Sequence, residues 1–118
     1  MSMLAVTPRP PYVAVIFSSL RTGGDAGYAD MAERMDRLAA EQPGYLGMES
    51  ARDAEGFGIT VSYWTDEAAV AGWKQEVDHL AAQTLGRERW YARYAVRVAE
   101  VRRAWDWSAA DAPPHHGI

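Results

Sequence analysis

The 118-residue sequence contains no cysteine. Disulfides, iron–sulfur clusters, thiolate zinc sites and a cysteine nucleophile are therefore excluded. The sequence also lacks an excess of positive charge, because 12 Lys and Arg stand against 16 Asp and Glu, a net charge of −4. A mildly acidic chain has no electrostatic attraction to a nucleic-acid backbone or an anionic membrane, so we expect neither as a partner.

Long apolar runs and common site motifs are missing as well. No run approaches the ~18–20 apolar residues of a membrane-spanning helix, and the first residues lack the basic segment of a secretory signal. We therefore expect a cytoplasmic protein. The sequence has no P-loop, no G-x-G-x-x-G and no G-x-S-x-G. Its histidines, His79 and the pair His115-His116, do not converge with carboxylates at metal-ligand spacing, so no metal site is predicted.

Aromatic residues, by contrast, are abundant, with five Trp and six Tyr. They favour a pocket or a partner surface. The length suits one domain with a genuine core. Prolines at positions 8, 10 and 11 predict an extended arm over residues 1–11. Residues 12–107 form the predicted domain, and residues 108–118 are small, polar and typical of a flexible tail.

Hydrophobic periodicity predicts six elements in this domain. Predicted strands cover Tyr12–Ser19, Tyr45–Asp53, Phe57–Trp64 and Tyr94–Trp105; predicted helices run from a cap at Asp25 to Gln42, and from Thr65 or Asp66 to about Gly86. The order βαββαβ is that of a ferredoxin-like α+β sandwich. Its two helices cover one face of an antiparallel sheet, and the other face is normally polar.

That second face is apolar in this sequence. The first strand has Val13, Val15 and Phe17 on one side, and Tyr12, Ala14 and Ile16 on the other. Because no further helix is predicted, we expect a second copy of the chain to cover the remaining face. The long last strand is expected to reach across to that partner.

From Tyr12 to Trp105 the sequence resembles the antibiotic biosynthesis monooxygenase superfamily of dimeric α/β barrels. The most recognisable pieces are Tyr63-Trp64, Trp73-Lys74 followed by His79, and the segment GRERWY at 86–91. The resemblance implies a homodimer with a cavity between the helices and sheet of each protomer. It also implies a monooxygenase that uses no metal, flavin or nicotinamide, and lets the enolate of an aromatic, phenolic or anthrone-like substrate react directly with oxygen.

Two residues are predicted to be catalytic. His79 is the candidate base for the phenol proton. A straight helix places it off the apolar stripe, so a solvated surface histidine is the alternative, unless a kink near Gly72 turns it inward. Arg87 is the candidate that holds a phenolate or carboxylate and stabilises a developing enolate, although such arginines are commonly solvated or paired.

Five aromatic residues are predicted to bind the substrate: Trp64, Trp73, Tyr63, Tyr94 and Trp90. Indoles provide flat walls and an N–H donor, and tyrosines donate to a substrate oxygen. Ordinary core packing is the alternative for each of them.

Two other functions stay open at this point. The first is haem binding or degradation, because Trp73 matches a helix tryptophan of the haem-degrading members. Those members also have an Asn on the first strand, which is absent here, and a ligating His where Gln83 stands. The second is a non-catalytic dimer that binds a small hydrophobic ligand.

Overall fold

A computed structural model describes residues 4–23, 27–83 and 90–110. Its elements follow the predicted order: β1 Tyr12–Arg21, α1 Tyr28–Ala40, β2 Tyr45–Arg52, β3 Phe57–Trp64, α2 Glu67–Gln83 and β4 Tyr91–Val101. The strands form one antiparallel sheet in the order β2-β3-β1-β4. This confirms the ferredoxin-like βαββαβ fold. None of the helices within these ranges is long and apolar enough to cross a membrane.

The sheet has a helix-facing side and an open side. On the helix-facing side, β1 contributes Val13, Val15, Phe17 and Ser19, which pair with Trp64, Ser62, Thr60 and Gly58 of β3. On the open side, Ala14, Ile16 and Leu20 pair with Tyr63, Val61 and Phe57. Because β1 is apolar on both sides, it occupies a central position between β3 and β4.

The core lies on the helix-facing side around Trp64, which is fully buried beside Val13 and Ala39. The Tyr45 ring meets the Trp64 ring edge-on at a centroid distance of 5.6 Å. The Trp73 ring of α2 stacks on Trp64 at 5.8 Å, with 23° between the ring planes. Both helices are therefore anchored to the same end of the sheet.

Gly44 allows the turn after α1 to approach the start of α2. Its φ of 85° is in the left-handed region, which favours glycine. A Cβ at this position would lie 2.5 Å from the Cβ of Ala69 and 2.6 Å from Oγ1 of Thr65. The Thr65 backbone N–H donates to the Gly44 carbonyl at 2.9 Å. A larger residue would separate these two segments.

Several element boundaries differ from the sequence prediction by one to four residues, and the largest differences are at the start of the first helix and at the two ends of the last strand, which begins at Tyr91 rather than Tyr94. The first helix begins at Tyr28 after Gly27, which has φ 84° and no side-chain cap, while Asp25 lies outside the described residues. The last strand ends at Val101 rather than Trp105. The physical reason is pairing: Val101 lies opposite Tyr12, where β1 begins, so the following residues have no neighbouring strand.

The N-terminal arm covers part of the open side, which the sequence analysis did not foresee. The Ala5 N–H donates to Oε2 of Glu49 at 2.9 Å, and the hydroxyls of Thr7 and Tyr12 are 2.9 Å apart. Tyr12 and Ala14 are buried as a result. The arm therefore covers this end of a face that the sequence prediction had assigned to a second copy of the chain. The other end, around Leu20, Phe57 and Ile59, stays exposed.

Candidate functional site

We use the term groove for the part of the helix-facing side of the sheet that the two helices leave uncovered. Helix α1 packs against β2, and α2 packs against β1 and β3. On β4, Val96 and Val98 face the same side but are 51% and 47% exposed. The groove is therefore open to solvent along β4. Its floor is formed by Val15, Phe17, Thr60, Ser62, Val96 and Val98.

One end of the groove is formed by the two stacked indoles. Trp64 donates its Nε1–H to the Ser62 hydroxyl at 2.9 Å and is completely buried. It therefore acts as core and does not itself reach a ligand. Trp73 is only half-buried and has one ring face on Trp64. Of the two tryptophans, Trp73 is the one that presents aromatic surface to the groove.

The other end contains an aromatic cluster of Phe17, Tyr28, Tyr91 and Tyr94. The Phe17 ring lies 5.4 Å from the rings of both Tyr91 and Tyr94. The rings of Tyr28 and Tyr91 are 5.8 Å apart and perpendicular. Edge-to-face contacts of this kind are favourable and hold the rings in fixed orientations. This end is therefore a shaped aromatic wall.

Two arginines meet this aromatic cluster, and the sequence analysis missed both. Arg52 donates from Nη2 to the Ser19 hydroxyl at 2.7 Å and to the Tyr28 hydroxyl at 3.2 Å. Its Nη1 donates to the Gly56 carbonyl. The guanidinium carbon of Arg21 lies 3.5 Å from the Tyr28 ring centroid, a cation–π contact.

Burial, followed by its hydrogen bond to Tyr28, raises the pKa of Tyr91 well above the ordinary value, and nearby Arg52 and Arg21 only partly oppose this. The Tyr91 hydroxyl donates to the Tyr28 hydroxyl at 3.4 Å. Tyr91 therefore stays protonated at physiological pH. It acts as a hydrogen-bond donor in this cluster and not as a base.

Three predicted site residues belong to the groove or its edge. Trp73 and Tyr94 lie at its two ends. Trp90 is buried at the start of β4, where its carbonyl accepts from the Thr22 N–H at 2.8 Å and from Nε of Arg21 at 3.3 Å. Trp90 therefore positions Arg21, and its described contacts are those of a packed structural residue.

Tyr63 is separated from the groove because it lies on the open side. Its hydroxyl donates to Oε1 of Glu49 at 2.8 Å, and its ring meets the Tyr12 ring edge-on at 5.8 Å. Alternation along a strand places neighbouring residues on opposite faces, so Tyr63 and Trp64 cannot line one pocket. The contacts of Tyr63 hold the N-terminal arm.

Of the two predicted catalytic residues, only His79 lies within the described part of the chain. His79 is exposed on α2, six residues after Trp73 and therefore about 120° from it around the helix. Arg87 lies outside the described residues. In residues 4–23, 27–83 and 90–110 no group of three His, Asp or Glu side chains is placed to hold a metal ion. Haem ligation by His79 would need this side chain to face the groove, so its position does not fit the haem hypothesis.

The hydrogen bond from Tyr63 to Glu49 leads to a testable prediction. Burial, then the hydrogen bond to Glu49, raises the pKa of Tyr63 to about 12. We expect Glu49→Gln to lower this pKa towards the ordinary 10 without reaching it, because the burial remains. Absorbance of the phenolate at 295 nm measures the titration, and Tyr63→Phe identifies the signal.

The same shift sets the direction of an effect on stability. A pKa raised in the folded state contributes stability that is complete below pH 10 and is lost as the pH rises from 10 towards 12. Wild-type protein should therefore lose more stability over this interval than Tyr63→Phe. Equal losses in both proteins would contradict the assignment.

Comparison with known proteins agrees with this architecture. The antibiotic biosynthesis monooxygenase family model matches residues 11–85. The uncharacterized protein YqjZ of Bacillus subtilis (strain 168) is 55% identical over 103 residues, which cover 87% of this chain and 90% of that protein.

Two crystal structures share the fold at low sequence identity. SnoaB from Streptomyces nogalater, described as a cofactor-independent oxygenase, is 18% identical and superposes with a TM-score of 0.66 over 80% of this chain and 97% of SnoaB. PA3566 from Pseudomonas aeruginosa is 16% identical, with a TM-score of 0.60 over 83% and 99%. At these identities, the comparison establishes the shared fold.

Proposed function

Because this chain belongs to the antibiotic biosynthesis monooxygenase family, we propose that it oxidises an electron-rich aromatic small molecule with molecular oxygen and without a bound cofactor. The observation that supports this best is the groove, which has an indole at one end and an aromatic cluster at the other. A flat aromatic substrate fits between such walls.

The proposed reaction needs no external reductant. A phenolic or anthrone-like substrate loses a proton and becomes an enolate, whose carbanion carbon transfers one electron to oxygen. Recombination forms a C–O bond and a peroxide, and loss of water leaves a carbonyl group. In total, a CH2 group and O2 give C=O and H2O, so the substrate supplies all the electrons.

The chain contributes orientation and hydrogen bonding to this reaction. Trp73 and Tyr94 hold the substrate plane, and the hydroxyls of Ser50 and Thr60, 2.8 Å apart, offer a donor to the enolate oxygen midway along the groove. Arg87 remains the predicted second holder of that oxygen. The groove is open beside β4, so we assign the released proton to water, and His79 remains a predicted base to be tested.

We further propose that the active form is a homodimer joined through the open side of the sheet. Leu20, Phe57 and Ile59 leave an exposed apolar surface there. The segment after β4 also exposes Trp105 and Trp107. Exposed apolar surface of this kind favours a protein partner. In the proposed dimer, a second copy of the chain covers both the open side of the sheet and the segment after β4.

Oxygen uptake tests the proposed reaction. With 1,8-dihydroxyanthrone as substrate, we expect one O2 consumed per molecule oxidised, at a rate above that of buffer. Trp73→Ala should lower kcat/KM by about tenfold or more, because the substrate loses one wall. Arg37→Gln, at an exposed site on α1, is the matched control and should change nothing.

Three outcomes decide between the hypotheses. Uptake equal to the buffer rate with a panel of anthrones and hydroquinones would overturn the oxygenase. If the same compounds nevertheless bind, the chain is the non-catalytic ligand-binding module. Full turnover by His79→Ala would remove His79 as the base and leave the oxygenase intact.

A further inference from the structure

Arg52 is a half-buried guanidinium that has no carboxylate partner among the described residues. The ion pairs between described residues join Arg37 to Glu33 and Lys74 to Asp78, and neither involves Arg52. Its hydrogen bonds go to the Ser19 and Tyr28 hydroxyls and to the Gly56 carbonyl. All three acceptors are neutral, so its positive charge is not balanced within the part of the chain that is described. Removing such a charge from water is costly unless an anion approaches it.

The hydroxyl groups of Ser19 and Tyr28 act as acceptors in their hydrogen bonds with Arg52 and Tyr91, so their own hydrogens can be donated to a ligand. Ser19 is 2% exposed, and its oxygen accepts from Arg52. The Tyr28 oxygen accepts from both Arg52 and Tyr91. Because both oxygens act as acceptors, each hydroxyl keeps its own hydrogen for a further acceptor. The cluster is thus rich in donors and poor in acceptors, which is the composition of an anion site.

Gly58 keeps the guanidinium on the floor of the groove. A Cβ on Gly58 would lie 2.6 Å from the guanidinium carbon of Arg52 and 2.8 Å from Nη2. Only glycine therefore lets Arg52 lie directly on β3 beside Ser19. An arginine that only linked β2 to β3 at the protein surface would not need the space that Gly58 leaves for the guanidinium.

We propose that Arg52, Ser19 and Tyr28 form a carboxylate subsite, so that the substrate is an aromatic acid. A guanidinium and two hydroxyl donors match the charge and the several acceptor positions of a carboxylate. The Arg21 guanidinium against the Tyr28 ring adds a second positive charge nearby.

The spacing in the groove agrees with a fused-ring acid. Thr60 and Gly58 are two residues apart on β3, about 7 Å along the strand. The enolate oxygen at Thr60 and the carboxylate at Arg52 would thus be separated by about the width of a fused pair of rings. This inference rests on the proposed function in placing both groups in one groove, but the carboxylate contact itself needs no oxygen chemistry.

Calorimetric titration without oxygen tests the subsite with two matched ligands, 2-naphthoate and its neutral amide, 2-naphthamide. Wild-type protein should bind naphthoate at least about tenfold more tightly, because only the acid makes charge-assisted hydrogen bonds. Arg52→Gln should remove this preference. Gly58→Ala should reduce it while keeping the charge, because the added methyl group displaces the guanidinium. Arg37→Gln, which removes an exposed arginine, should keep the full preference.

Tyr28→Phe provides a second variant if Arg52→Gln does not fold, because it removes a hydroxyl and leaves the ring. It should also reduce the preference. Two results with wild-type protein would overturn the subsite: equal binding of the two ligands, or no binding of naphthoate at millimolar concentration. An unchanged preference in Arg52→Gln would also overturn it. Where Arg52→Gln does not fold, an unchanged preference in Tyr28→Phe would do so. A preference for naphthoate in a protein that consumes no oxygen would support the subsite and overturn the oxygenase, so the two failures are distinguishable.

Discussion

Replacing Trp64 by alanine is expected to lower the free energy of unfolding by about 3–5 kcal/mol. Trp64 is completely buried in a core with Val13 and Ala39, and it supports the stacked Trp73 ring. The substitution removes a fully buried indole and leaves a cavity in the core. It also removes the Nε1–H that donates to buried Ser62. Because the total stability of a domain is usually about 5–15 kcal/mol, this loss removes a large share of it, and the variant should be marginally folded.

Urea and thermal unfolding followed by circular dichroism measure this effect. The melting temperature should fall by about 10–20 °C. Trp73→Ala is the matched control, because the same side chain is only half-buried there. It should cost clearly less stability and yet have the larger effect on ligand binding. A Trp64→Ala variant that unfolds like wild type, or that loses binding at unchanged stability, would contradict the assignment of Trp64 to the core.

The sequence was sufficient to predict the order of the elements and the faces of β1 and β3. Strand β1 is apolar on both faces, which indicates a central strand, and β3 alternates so that Trp64 and Tyr63 must face opposite sides. The end of the first helix was predicted at Gln42, because Pro43-Gly44 follows, and the helix ends two residues earlier, at Ala40. These features depend on residues that are close together in the sequence or on the two-residue alternation of a strand, and both can be seen in a single sequence.

The Arg52 cluster was not predicted because its members are distant in sequence. Arg52 meets Ser19 and Tyr28, which are 33 and 24 residues away. Their meeting depends on the register of β2 against β3, which shifts between Tyr45 and Gly47. A single sequence does not determine such a shift. A signal was nevertheless present, because Arg52 shares its alternation with Met48 and therefore occupies the side that the helices cover.

In strand β4, by contrast, the sequence predicted more regular structure than is present. Its sequence continues to favour a strand beyond Val101, but a strand must pair with a neighbouring strand. Strand β1 begins at Tyr12, opposite Val101, so the residues after Val101 have no partner strand in β1. Local propensity therefore predicted an element that pairing within one protomer does not support. Trp105 is 60% exposed in the segment that follows. In the proposed homodimer, the partner would offer a surface against which Trp105 becomes buried.

Ile59→Asp is expected to convert the proposed homodimer into monomers at micromolar concentration. Ile59 lies on the open side and is 41% exposed, between Leu20 and Phe57, which are 43% and 47% exposed. In a symmetric dimer the substitution introduces two carboxylates into the apolar contact. Burying an unpaired charge costs several kcal/mol, so the dissociation constant should rise about a hundredfold or more. Because Ile59 is already exposed in the single protomer, its fold should tolerate the change.

Sedimentation velocity over a range of concentrations measures this directly, and Ala68→Asp is the matched control. Ala68 is also exposed, but it lies in the first turn of α2, where a negative charge is favourable. Both variants therefore carry the same added charge, and only the one on the open side should dissociate. A wild-type chain that sediments as a monomer would overturn the dimer, and an Ile59→Asp variant that remains dimeric would place the contact elsewhere. Loss of oxygen uptake in the Ile59→Asp monomer alone would further indicate that the proposed activity needs the dimer.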